Sequence, residues 1–201
     1  MSPMIRLSPS KRPSLRPVAI TVALLAVTAV SASCSSGGTP PPQVYVTSTL
    51  GSPPSGMSMC PYNQPQLPFV TIGTGSSGSP GPVAAGGAIE SITCQVQGSG
   101  PFDVALNVQT SSGSVSVSGT IANTTSPQTV RASFDSMDGT YGESNCTVSF
   151  NSGTPEGVFP GKIWGNLLCP TMTPPGQTAD GGAGTAVCYG TAEFLFQYCN
   201  E

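Results

Sequence analysis

Apolar and polar residues alternate with a period of two through most of the chain beyond residue 60. Phe102, Val104, Leu106 and Val108 are interleaved with Asp103, Ala105, Asn107 and Gln109, the period of a half-buried β-strand. After the turn Ser111-Ser112-Gly113, Val115, Val117 and Ile121 alternate with Ser116, Ser118 and Thr120, and Val130, Ala132 and Phe134 repeat the pattern. Asp138-Gly139 predicts a hairpin turn, because such turns need residues that tolerate positive φ. Beyond it, Cys146, Val148 and Phe150 share one face of a strand. Ile163–Cys169 predicts another, and Ala192, Phe194, Phe196 and Tyr198 line one face of the last. Upstream, Phe69–Ile72 and Ser91–Gln97 read as strands separated by a Gly/Ser/Pro loop over 73–88. No segment beyond the N-terminal region has a sustained helical period with caps. The expectation is an all-β fold over residues 60–201: an antiparallel β-sandwich, with an immunoglobulin-like arrangement as one form of it.

The N-terminal region breaks this pattern. Residues 18–30 form an uninterrupted, uncharged apolar run of 13 residues, VAITVALLAVTAV, behind Arg6, Lys11, Arg12 and Arg16. A spanning helix needs about 20 apolar residues. A short apolar core behind a basic flank predicts instead a helical signal peptide over residues 1–33. Residues 34–59 are rich in Ser, Gly and Pro, with prolines at 40–42, and predict a disordered tether. The run Val44–Leu50 within it suits a first edge strand.

The apolar core, the small residues Ala32 and Ser33, then Cys34 followed by Ser35-Ser36-Gly37-Gly38-Thr39 and prolines, resemble the leader of a bacterial lipoprotein precursor. The resemblance covers leader and tether only. It implies that the Cys34 thiol carries a diacylglycerol, that Cys34 is the mature N-terminus, and that the lipid bilayer is a partner through the acyl chains. Ser31 departs from the family pattern, in which an aliphatic residue is usual. Val30-Ser31-Ala32 also suits ordinary signal peptidase, so cleavage after Ala32 with soluble secretion is the alternative. Ser35, in place of the aspartate linked to inner-membrane retention in one bacterial group, favours the outer membrane or cell surface.

Charge is divided at the same junction. Only Arg131 and Lys162 are basic beyond Cys34, whereas all nine acidic residues lie there, so two basic against nine acidic side chains leave −7. Such a surface cannot neutralise a row of phosphates, which excludes nucleic acid as a partner. It is equally unsuited to electrostatic adhesion to an anionic membrane. Charged residues are only 7% of the chain, so hydroxyl groups must do most of the solubilising, as suits an extracytoplasmic protein with long loops.

Seven cysteines in a chain of this length point to an oxidising compartment. Setting Cys34 aside leaves Cys60, Cys94, Cys146, Cys169, Cys188 and Cys199, an even number that permits three bridges in fifteen arrangements. None forms a CxxC pair, and the chain has no histidine, so structural disulfides are expected over zinc or thiol-redox chemistry. Strand order suggests Cys169–Cys188, Cys146–Cys199 and Cys60–Cys94. The first would close a loop worth about 3 kcal/mol in chain entropy.

Candidate catalytic chemistry is sparse. Without histidine there is no Ser-His-Asp or Cys-His arrangement and no His-ligated metal. Lys162 has no SxxK context for serine–lysine catalysis. Gly73-Thr74-Gly75-Ser76-Ser77-Gly78 matches GxGxxG, yet Ser79-Pro80-Gly81-Pro82 prevents the helix a phosphate site would need. Asp135, Asp138 and Glu143 gather around a turn and could offer oxygen ligands to calcium, but their spacing is not that of an EF-hand loop and a solvated hairpin with acidic turn residues is the favoured explanation. Trp164, Tyr141 and Tyr189 could form a sugar-stacking platform, or Trp164 could simply pack in the interior. The expectation is therefore no catalytic residue, no metal, no cofactor and no identified ligand-binding residue. The chain reads as an exported cell-envelope lipoprotein with a structural or binding role. The alternative is a carbohydrate-binding or adhesion module, and a glycan or another envelope protein is the class of partner to consider.

Overall fold

Thirteen strands and, among the described residues, no helix make up the computed structural model, which describes residues 38–54, 60–62, 68–137, 139–176 and 186–201. The leader, Cys34, Asp138 and Asp180 lie outside the described residues. The strands are β1 (Gln43–Gly51), β2 (Pro68–Ile72), β3 (Thr74–Ser76), β4 (Ser79–Gly81), β5 (Val83–Ala84), β6 (Ile89–Gly98) and β7 (Phe102–Thr110). They continue with β8 (Gly113–Ile121), β9 (Gln128–Ser136), β10 (Gly139–Ser149), β11 (Gly157–Phe159), β12 (Lys162–Met172) and β13 (Cys188–Gln197).

Eleven of them join in one sheet of order β2-β1-β13-β12-β10-β9-β8-β7-β6, with β11 paired to β12 and β5 to β1. From β6 to β10 each strand lies beside its predecessor, the hairpin meander that short polar turns favour. Strands β7 to β9 carry the alternation seen in the sequence, with Val104, Leu106, Val108, Val115, Val117, Val130, Ala132 and Phe134 all buried.

The sheet curls until its far strand meets the chain leaving β13. Val96 N donates to Asn200 O at 2.9 Å, Asn200 N to Cys94 O at 3.0 Å, and Gly161 N to Val96 O at 3.2 Å. The curl gives the inner faces of β1, β2, β6–β10, β12 and β13 one shared apolar core. Phe69 of β2 stacks on Phe134 of β9 across it, with ring centroids 5.5 Å apart.

The N-terminal boundary of the domain differs from expectation. Residues 43–51 are neither tether nor edge strand: β1 pairs along its whole length with β13 and, on its other side, with β2 and β5. Val44, Tyr45 and Val46 are buried in succession, because the strand is covered on both faces. Ser and Pro neighbours at 39–42 and 52–54 conceal this in the composition.

All six domain cysteines form disulfides, in a different pairing from the one strand order suggests. The bridges are Cys60–Cys188, Cys94–Cys199 and Cys146–Cys169. Neighbouring strands decide the last: Thr147 pairs with Leu168 across β10 and β12, which sets Cys146 opposite Cys169. Curling of the sheet decides Cys94–Cys199, and the return of the segment after β1 towards the start of β13 decides Cys60–Cys188.

The stretch 73–88 and Tyr198 also differ from expectation. The stretch 73–88 contains β3, β4 and β5 rather than loop alone. Tyr198 does not continue the buried face of β13. It adopts a left-handed φ of 58° and is exposed, turning the chain towards β6.

Candidate ligand-binding groove

On the solvent side of β8–β10, the residues opposite the buried alternation are small and hydroxylated. Ser116 pairs with Ser133 and Ser118 with Arg131 across β8 and β9, and the Ser116 and Ser133 hydroxyls are 2.8 Å apart. The next partner of Ser133, on β10, is Gly142. Its missing side chain leaves a depression where a third hydroxyl or larger group would stand. The segment Thr173–Gly176 rises beside it, held by reciprocal backbone hydrogen bonds, Gly142 N to Thr173 O at 2.9 Å and Thr173 N to Gly142 O at 3.1 Å. Floor and wall enclose a groove of about 620 Å³.

A bulge in β10 shapes the mouth. Ala132 pairs with Glu143 and Val130 with Cys146, so Ser144 and Asn145 together oppose Arg131. Two residues facing one is the signature of a β-bulge, which bends a strand and re-aims its side chains.

The two charges of the groove are used differently. Glu143 is bound to β12: Thr171 N donates to its Oε2 and Thr171 Oγ1 to its Oε1, each at 2.8 Å. Arg131 is exposed, and among the described residues no carboxylate pairs with its guanidinium. A guanidinium presents N–H donors in a planar fork matched to a carboxylate, while serine and threonine hydroxyls both donate and accept. The groove can therefore hold an anionic group at Arg131 and polar groups along Ser118, Ser133 and Ser144. Among the described residues, no aromatic ring lines it.

The candidates singled out in the sequence are dispersed. Trp164 is 5% exposed and packs in a small separate cluster with Tyr45 and Leu195. The hairpin β3–β4 reaches this cluster, since Glu193 Oε1 accepts from both Gly78 N at 3.2 Å and Trp164 Nε1 at 3.4 Å. Tyr141 is buried in the main core against Tyr62, and Tyr189 is half-buried on β13. These three aromatics form no platform, and Trp164 packs internally.

The acidic residues also fail to converge. Asp135 accepts from the Thr140 hydroxyl across the hairpin, whereas Glu143 lies three residues further along β10 and faces Thr171. Three residues of strand are about 10 Å, and Asp138 is outside the described residues. Glu143, Cys146 and Cys169 do come together, but both sulfurs are committed to a disulfide and cannot act as thiolate ligands. The GxGxxG match is the β3–β4 hairpin, with Ser76 paired to Ser79 and no helix after it.

Sequence reasoning passes over Arg131. The available signal is its isolation: one of two cations beyond Cys34, on the polar side of an alternating strand among serines. No family model, curated protein or solved structure matches this chain.

Proposed function

We propose that this chain is an exported bacterial cell-envelope lipoprotein, acylated at Cys34, whose disulfide-braced β domain has a binding or structural role and no catalytic one. The observation that carries this reading is the complete pairing of the six domain cysteines. Three bridges favour an oxidising compartment, and they leave Cys34, the seventh cysteine, without a partner among the others. A lone cysteine just beyond an export-type apolar core, after the small residues Ser31-Ala32-Ser33, has acylation as its simplest use. Intact-mass measurement of protein extracted from membranes tests it: the expected mature N-terminus is a diacylglycerol-modified Cys34. A mature N-terminus at Ser33, unmodified and in the soluble fraction, overturns acylation in favour of plain secretion.

We read the curled sheet as sandwich-like, with β2 and β9 supplying opposed faces through Phe69 and Phe134. The second functional reading is a carbohydrate-binding or adhesion module. The hydroxyl-lined groove beside Arg131 favours it, in place of an aromatic platform.

A further inference from the structure

We propose that the groove on β8–β10 binds a ligand with a single carboxylate on a hydroxyl-rich body, of the uronic-acid class, and that Arg131 takes the carboxylate. The inference rests on the binding reading above and gives it a site and a ligand chemistry.

Three observations converge on it. Arg131 stands in a domain of net −7, yet the nearby carboxylate of Glu143 is turned away to Thr171. The guanidinium is thus the one cationic feature among the described residues of the groove and is available for a bidentate contact. Next to it, on the same face, stand Ser118 and Ser133, and Ser144 of the β10 bulge lines the same groove. These hydroxyls match a ligand that both donates and accepts hydrogen bonds along its length. Finally, the floor is open because position 142 is glycine. A Cβ there would meet only Ala132 O at 3.7 Å and Ser133 Cβ at 3.9 Å, so neither packing nor backbone conformation demands glycine.

The chemistry also selects against other ligands. A polyanion would gain one ion pair and be repelled by the remaining acidic surface. A flat apolar or neutral sugar ring would find no aromatic face to stack on. One carboxylate with several hydroxyls answers the donors present. A groove of about 620 Å³ lies within the size range of small-molecule sites.

The test is titration of the oxidised mature chain with D-glucuronate, followed by backbone amide NMR, with D-glucose as the control that keeps the ring hydroxyls and lacks the carboxylate. The expected result is saturable shifts at Ser118, Ser133, Gly142 and Thr173, with glucose at least about tenfold weaker. Arg131→Gln should weaken glucuronate about tenfold or more, and Arg131→Lys, which keeps the charge but loses the fork, should fall between. Gly142→Val should abolish binding by filling the floor. Because Arg131 is exposed, its variants should keep the parent amide spectrum outside the groove, which separates loss of binding from loss of fold. Equal response to glucose, unchanged affinity in Arg131→Gln, shifts confined to another surface, or no shifts at all would each overturn the proposal. The mass of the Cys34 terminus is a separate measurement, so failure here is distinguishable from failure of the anchoring reading.

Discussion

Cys94 and Cys199 are 105 residues apart in the chain, yet their Cα atoms lie 4.9 Å apart and their sulfurs are bonded. The bridge joins β6, the last strand of the hydrogen-bonded path, to the residues that follow β13. Around it run the backbone hydrogen bonds of Val96 and Asn200. Covalent and hydrogen-bonded closure thus coincide at one seam.

The three bridges should differ in worth according to the loops they close. In the chain-entropy account, removing Cys94–Cys199 or Cys60–Cys188 costs up to about 5 kcal/mol, against about 3 kcal/mol for Cys146–Cys169. Paired Cys→Ser substitutions followed by urea unfolding check the order. A Cys146/Cys169 variant less stable than a Cys94/Cys199 variant would contradict it.

Ser48 should matter more than its size suggests. Its buried hydroxyl donates to Val70 O at 3.1 Å and accepts from Val70 N at 3.0 Å, where the β1–β2 register shifts between Ser48 and Thr49. Ser48→Ala strands both Val70 groups without that partner and should cost about 1–3 kcal/mol. Ser48→Thr restores the hydroxyl but adds a methyl group to a filled site, so partial recovery is expected. Equal urea-unfolding midpoints for the Ser48→Ala variant and the parent would count against the role given to the hydroxyl.

Trp164, the single tryptophan, should be poorly quenched by acrylamide in the native protein, because it is buried with Tyr45 and Leu195. Trp164→Ala should cost about 3–5 kcal/mol. Gly75→Ala should raise quenching without unfolding the main sheet. Gly75 has φ +97°, and a Cβ would meet Ser79 O at 2.3 Å, so the β3–β4 hairpin must distort. Native-like quenching in Gly75→Ala would mean that the hairpin does not shield the indole.

Glu143 joins β10 to β12 through Thr171 across the bulge. Glu143→Ala should cost up to about 1.5 kcal/mol, the low end of the range for hydrogen bonds to a charged group, because both bonds are exposed. Thr171→Val removes the hydroxyl but leaves the backbone donor, so it should cost less. A larger effect from Thr171→Val, measured in the same denaturant series, would show that the hydroxyl acts through other contacts.

Legibility follows the range of the interactions. The strands β7, β8 and β9 are readable because each places its own side chains alternately inside and outside, a property of five or six neighbouring residues. β1 is misleading because Val44-Tyr45-Val46 has no alternation, as befits a strand covered on both faces, and its surroundings are rich in proline and serine. The hairpin β3–β4 is hidden by its glycines, which read as loop but supply the positive φ at Gly78 in the turn and at Gly73 and Gly75 ahead of it. In the groove, Ser116, Ser118, Arg131 and Ser133 are visible as the polar half of the alternation. Their convergence with Gly142 and Thr173 is not, since it requires the β10 bulge and the chain beyond β12.

Local sequence by itself determined the all-β character, the inward and outward faces of most strands, the availability of six cysteines for pairing, and the absence of histidine chemistry. Tertiary structure alone decided which cysteines meet, that β1 is an interior strand, that Trp164 packs beneath a hairpin, and that Arg131 stands in an open polar groove. The division has a physical cause. Side-chain alternation is written into each strand by backbone geometry, whereas strand neighbours and disulfide partners are chosen by how the whole sheet curls to enclose one core.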